Sequence, residues 1–202
     1  MADVNARLEA LSDGVFAIAM ALLIVDLLAP TTVGMTTTAG LWRALGRTAP
    51  TIFAFLLSFN VIAITWVNHR AVMKLVARTS PALIVANGFL LLTVVVIPFP
   101  TQLLAKYLRT AQAAPAIVIY DAALAAMWLG WIVVTRTMIN GRMAKDGRAA
   151  MALVRVVANS RAAFVLYAVL SLTASWFPVT AALLTTLTWA FWLLASIRLR
   201  RG

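Results

Sequence analysis

Six stretches of this chain are each about as long as a bilayer is thick and almost free of charge, which leaves few folds open to it. The apolar windows run near 11–29, 49–67, 81–105, 115–135, 158–177 and 179–197, and about 20 apolar residues in helical conformation cross a hydrocarbon core. With 63% hydrophobic residues in 202, neither a soluble domain nor a disordered chain fits. The windows are separated by segments rich in Gly, Pro or charge: "PTTVGMTTTAGLWRALGRT", "NHRAVMKLVARTS", "KYLRTAQAAP" and "RTMINGRMAKDGRAAMALVRVV", all of a kind that ends a span. Only Pro178 stands between the last two windows, which predicts a tight, uncharged hairpin. The expected fold is all-α, a polytopic membrane protein with six transmembrane helices in a single domain over residues 1–202.

The formal charge of +11 is explained by where the cations fall. Counted by side, the N-terminus, second loop, fourth loop (with Arg161) and C-terminus carry 13 of the 17 Lys and Arg, against 4 in the other loops. By the positive-inside rule both termini are expected in the cytoplasm. The basic fourth loop could in addition meet anionic lipid headgroups. The basic residues punctuate apolar segments and form no continuous stripe, so no nucleic-acid partner is expected. The N-terminus "MADVNARLEALSD" lacks the basic region, apolar core and cleavage site of a signal peptide, and the first window is expected to stay as a span. One His, no Cys and six scattered acids give no recognisable active site, metal site or cofactor site. The chain is not expected to be an enzyme.

The first window, "LSDGVFAIAMALLIVDL" (11–27), is unusual because it holds Asp13 and Asp26, and carboxylates beside lipid are costly. Its unbroken apolar run, Val15 to Val25, is only about 16 Å long at 1.5 Å per residue, well under the roughly 30 Å of the core. Its ends must therefore meet protein or water. On a helical wheel Leu11, Gly14, Ile18, Leu22, Val25 and Ala29 share one narrow face, Asp13 points to the opposite side, and Asp26 flanks the stripe. The stripe either packs against a helix or lipid, or meets copies of itself as a hydrophobic constriction with Asp26 concentrating cations at an outer mouth. Asp13 reads first as a structural cap or ion pair, with His69 and Arg70 as candidate partners.

Other signals are weaker. "TTVGMTTT" (31–38) contains the TVG of a carbonyl selectivity filter but lacks the following Tyr-Gly and a pore helix before it, so a threonine-rich loop is expected. His69 could sense protons or serve structure. Asp121 could sit on an ion pathway or pair with Arg109 or Lys106. Asn87 should hydrogen-bond across helices, and Trp176 and Tyr107 should anchor at the interface.

"RLEALSDGVFAIAMALLIVDL" closely resembles the R-x-x-x-F-S-D signature and first helix of the transmembrane protein 175 family. "WVNHR" (66–70) is similar to the W-x-x-H end of that family's second helix, and "NGFLLLTVVVIPFPT" (87–101) to its third helix with a P-F-P-T terminus. The resemblance covers the first half of the chain in the right order. It implies a potassium-permeable channel, assembled as a homotetramer around a pore lined by the first helix and sited in a bacterial inner membrane. By position, Ile18, Leu22 and Val25 become the pore-lining constriction, Arg7, Ser12 and Asp13 the signature, and Trp66, His69 and Asn87 a supporting polar network. Two positions depart from the pattern: Leu11 replaces the signature aromatic, and Ala21 stands where many relatives carry a threonine hydroxyl that could coordinate a partly dehydrated cation. The rival expectation is a small secondary transporter using Asp13, Asp26 and Asp121 as coupling sites.

Overall fold

A computed structural model of the chain describes residues 2–25 and 37–198, and the side chains of 6–25 and 37–188. Eight helices are found among the described residues: α1 (Ala2–Ile24), α2 (Thr38–Arg47), α3 (Ala49–Met73), α4 (Pro81–Val96), α5 (Pro98–Tyr107), α6 (Ala113–Asn140), α7 (Gly147–Thr173) and α8 (Pro178–Arg198). By length and composition four helical stretches among them can cross a bilayer, with α4 and α5 counting as one, Pro81–Tyr107. The other three are α3, α6 and α7.

The break between α4 and α5 has a covalent cause. Pro98 and Pro100 lack the N–H groups that would reach back one turn, and their rings crowd the preceding carbonyls. Ile97 N–H takes the Val94 carbonyl at 3.1 Å in a tighter turn, and the ladder restarts with Thr101 N–H on the Ile97 carbonyl at 3.2 Å. The predicted span 81–105 is thus two helices, divided at "PFPT".

Helix ends follow local chemistry. Ser80 caps α4 by accepting from Leu83 N–H at 3.2 Å, with Pro81 in the first turn. Asp146 caps α7 by accepting from Ala149 N–H at 2.7 Å. The expected long fourth loop, 136–157, shrinks to residues 141–146, because α6 and α7 both continue past their apolar windows. At 28 and 27 residues each is about 40 Å long, against a core of roughly 30 Å. The charges at Arg136, Arg148 and Arg155 therefore sit on helix and not in loop. α2 was not foreseen: Thr37 caps it by accepting from Gly40 N–H at 3.1 Å, and Leu41, Trp42 and Leu45 are left exposed. The hairpin before α8 is short and uncharged, residues 174–177.

α1 packs on α3 and α4, α4 on α6, α5 on α3 and α6, and α7 on α6; α8 touches α3, α6 and α7. The second and fourth loops join at one end of the bundle. Ala77 N–H donates to Met143 O at 2.8 Å, Lys145 N–H to Leu75 O at 2.9 Å, and Arg78 Nη2 to Gly141 O at 3.1 Å. To make this turn Arg142 adopts φ 49°, a left-handed conformation that costs a side-chain-bearing residue about 1 kcal/mol. Where α4 crosses α6, a Cβ on Gly130 would lie 3.0 Å from Leu90 Cα and from its Cδ1. Small residues of this kind let helices approach closely in lipid.

Two substitutions should move thermal unfolding in detergent in opposite directions. Gly130→Leu should destabilise by about 2 kcal/mol or more, since overpacking there meets backbone. Arg142→Gly should be neutral to stabilising, by up to about 1 kcal/mol.

Candidate functional site

α1 has two unlike faces. Leu8, Ser12, Phe16, Ala19 and Leu23 are buried, while Leu11, Ile18, Leu22 and Val25 are exposed large apolar residues, Ile18 at 59%. The buried set recurs every three to four residues and so forms one side of the helix. The exposed set belongs to the stripe expected from the sequence, whose last member, Ala29, lies outside the described residues, and no described residue covers it. Gly14 and Ala21 are also exposed, on or beside it. Asp26 and residues 31–36 of the TVG-containing loop lie outside the described residues.

The buried face is fixed by a hydrogen-bonded chain through three helices. Ser12, on α1, is fully buried and its hydroxyl donates to the Leu8 carbonyl at 2.8 Å. Having given its one proton there, Ser12 Oγ accepts from Asn87 Nδ2, on α4, at 3.0 Å. That sets the Asn87 amide with Oδ1 toward His69, on α3, which lies 2.7 Å away through Nε2. Oδ1 can only accept, so His69 Nε2 carries the proton. Phe16 and Trp131 flank the imidazole, with ring centroids at 5.5 and 6.3 Å.

A second tie holds Asp13. Its carboxylate accepts from Trp66 Nε1 at 2.6 Å, and the Arg70 guanidinium lies over the Trp66 ring at 5.4 Å. The partners expected for Asp13, His69 and Arg70, are thus corrected: the indole takes the hydrogen bond, because His69 is committed to Asn87 and Arg70 to the outer face of the indole. Arg7 is exposed.

Sequence reasoning missed a further buried cluster toward the other end. Thr101 (α5) donates to Ser58 (α3) at 2.7 Å, and Ser58 bonds Tyr120 (α6) at 3.0 Å. Hydroxyls inside otherwise apolar windows were the available signal. Asp121 pairs with neither Arg109 nor Lys106. It is fully buried and accepts from Thr185, on α8, at 2.8 Å through Oδ1, while Lys106 lies over the Tyr107 ring at 5.3 Å. Among the described residues no group of three or more His, Cys, Asp or Glu could hold a metal ion.

Long apolar helices joined by buried side-chain hydrogen bonds, with one helix presenting an uncovered greasy stripe, define a polytopic helical membrane protein. The family described as "Endosomal/lysosomal potassium channel TMEM175" matches residues 7–98, the stretch that contains Ser12, Asp13, Trp66, His69 and Asn87. A potassium channel of Streptomyces collinus is 44% identical over 138 residues, 66% of each chain. One of Chamaesiphon minutus is 46% identical over 114 residues, 56% of each chain. The matched stretches thus span just under two thirds and just over half of these curated relatives. The crystal structure of a lysosomal potassium-selective channel TMEM175 homolog from Chamaesiphon minutus superposes with TM-score 0.81 at 32% identity, covering 96% of this chain and 98% of that one. The chain belongs to the TMEM175 family.

Asn87→Leu should destabilise the fold by about 2 kcal/mol or more, since it strands the His69 N–H in an apolar interior. Trp66→Phe should cost about 1–2 kcal/mol, because the Asp13 carboxylate is half-buried and can turn to solvent. Chemical unfolding of the two variants beside the parent measures the difference.

Proposed function

We propose that this chain is a potassium-permeable cation channel, a single six-span domain that assembles as a homotetramer around a central pathway lined by α1. The observation that carries the reading is the exposed stripe Leu11, Ile18, Leu22 and Val25 on a helix whose adjoining face is locked by buried hydrogen bonds. Such a stripe needs neighbours, and copies of it around an axis form a hydrophobic constriction at Ile18, Leu22 and Val25 that excludes water when narrow. Relatives named as potassium channels support this choice over plain lipid contact. Potassium passes down its electrochemical gradient, with no cofactor. Arg7, Ser12 and Asp13 form the signature, and Trp66, His69 and Asn87 hold α1 in register.

In this reading α1 and α8 supply the first and sixth crossings, in a bacterial inner membrane. The end of the bundle where the second and fourth loops join faces the cytoplasm with both termini, the side that carries 13 of the 17 Lys and Arg, where anionic headgroups can bind them. Asp26 then stands at the outer mouth. Ala21 brings no hydroxyl to the pathway, so selectivity over sodium rests on other groups. The unpaired buried oxygen of Asp121 keeps one rival in view, a transporter coupled through carboxylates.

The test is flux into liposomes under imposed potassium and then sodium gradients. Ile18→Asn, which wets the constriction, should raise potassium flux several-fold, and Asp121→Asn should leave it within about twofold. Equal flux of both ions removes the potassium label. Saturable flux that Asp121→Asn abolishes replaces the channel with the transporter.

A further inference from the structure

A cavity of about 320 Å³ lies among α3, α5, α6 and α8, away from α1. Its walls are largely apolar: Phe53, Leu57, Ile117, Val179 and Leu183 among others. Phe53, Val179 and Leu183 are themselves exposed, so the cavity can be reached from the lipid side. Asp121 stands fully buried in the wall of this space, so a guest reaches its carboxylate only when the side chain turns toward the cavity. Thr185 satisfies one carboxylate oxygen, but Oδ2 is buried without a hydrogen-bond partner. Buried polar atoms are paired in nearly all proteins, and an unpaired one calls for a missing group. Arg109 also lines the cavity but is exposed.

We propose that this cavity binds a small organic ammonium ion, whose cationic head donates to Asp121 Oδ2 and whose apolar body fills the walls. The chemistry selects this class. An ionised carboxylate only accepts, so a ligand that stabilises that form must donate, and a charged N–H donor is the strong case. An anion would meet the carboxylate. A bare inorganic cation would leave most of the lining, which is apolar, without a partner. The volume falls at the lower end of small-molecule sites, which are mostly apolar with few polar groups. No residue of the proposed ion pathway lines the cavity, so binding stands or falls independently of the channel reading.

The probe is 2-phenylethylammonium, compared with neutral 2-phenylethanol and anionic phenylacetate, on purified full-length protein in detergent. Tryptophan fluorescence reports thermal unfolding, and saturation-transfer NMR reports binding. The ammonium should raise the unfolding temperature and show saturation transfer, with the alcohol about tenfold weaker and phenylacetate inert, as expected for a charge-assisted hydrogen bond. Asp121→Asn should reduce the ammonium to the level of the alcohol. Ala182→Phe fills the cavity without touching the carboxylate and should abolish both; if Asp121→Asn does not fold, this variant decides. Equal binding of ammonium and alcohol, unchanged binding in Ala182→Phe, or no response from folded wild-type protein overturns the proposal.

Discussion

The His69–Asn87–Ser12 chain is the constraint on which the arrangement of α1, α3 and α4 rests. In lipid, apolar side chains gain little by leaving the acyl chains for one another, so helix register comes from close packing and from interhelical hydrogen bonds. This chain provides one link from each of α3, α4 and α1, and it ends on the Leu8 carbonyl of α1 itself. Each member is committed by its neighbour. Ser12 has one proton to give, which orients the Asn87 amide, which in turn selects the protonated nitrogen of His69. A network satisfied in this way defines one rotation of α1 about its axis, since a turn of 100° would carry Ser12 out of reach.

That rotation has a consequence for the rest of the helix surface. With Ser12, Phe16 and Leu23 held inward, Leu11, Ile18, Leu22 and Val25 must face outward. Polar ties thus aim an apolar stripe. Asp13, one residue after Ser12, falls at the edge of the buried face, where the Trp66 indole meets it and Arg70 covers the indole. Placing a carboxylate there is tolerable because it is half-buried and has a donor, not because it is ion-paired.

The sequence made the bundle legible wherever hydropathy alone decided it: the four spans that survive as long apolar helices all overlap predicted windows. Asn87 was legible as an interhelical hydrogen-bonder because a polar residue inside a span has few reasons to be there, whereas Ser12 and its grouping with His69 came from the family resemblance. Sequence reasoning failed where charge and prolines were read too simply. Arg136 and Arg148 suggested loop, yet a helix longer than the membrane is thick carries charge on its protruding turns. The window 81–105 was read through "PFPT" as one helix, yet two prolines there remove backbone donors and divide it in two. α2 is only ten residues long, its apolar residues Leu41, Trp42 and Leu45 spaced for one helical face, a pattern too brief for a hydropathy window to register. The partner of Asp13 was misassigned because charge pairing was weighted over the indole N–H, whose reach across helices depends on packing that no single sequence displays.

The two buried acidic or amide centres differ in a way that separates their roles. Ser12, Asn87 and His69 leave no orphaned side-chain atom, and a satisfied network in an apolar interior resists rearrangement. Asp121 has the opposite character: it is equally buried but half-satisfied, and it borders empty volume rather than packed side chains. A carboxylate kept only for cohesion between α6 and α8 would be expected to use both oxygens, as structural ties in low dielectric do. An oxygen left without a donor, beside a space large enough for a guest, is the pattern of a site whose partner comes from outside the chain. The molecule thus spends its fully paired polarity on positioning α1 and keeps its unpaired polarity for the opposite end of the bundle, between α6 and α8.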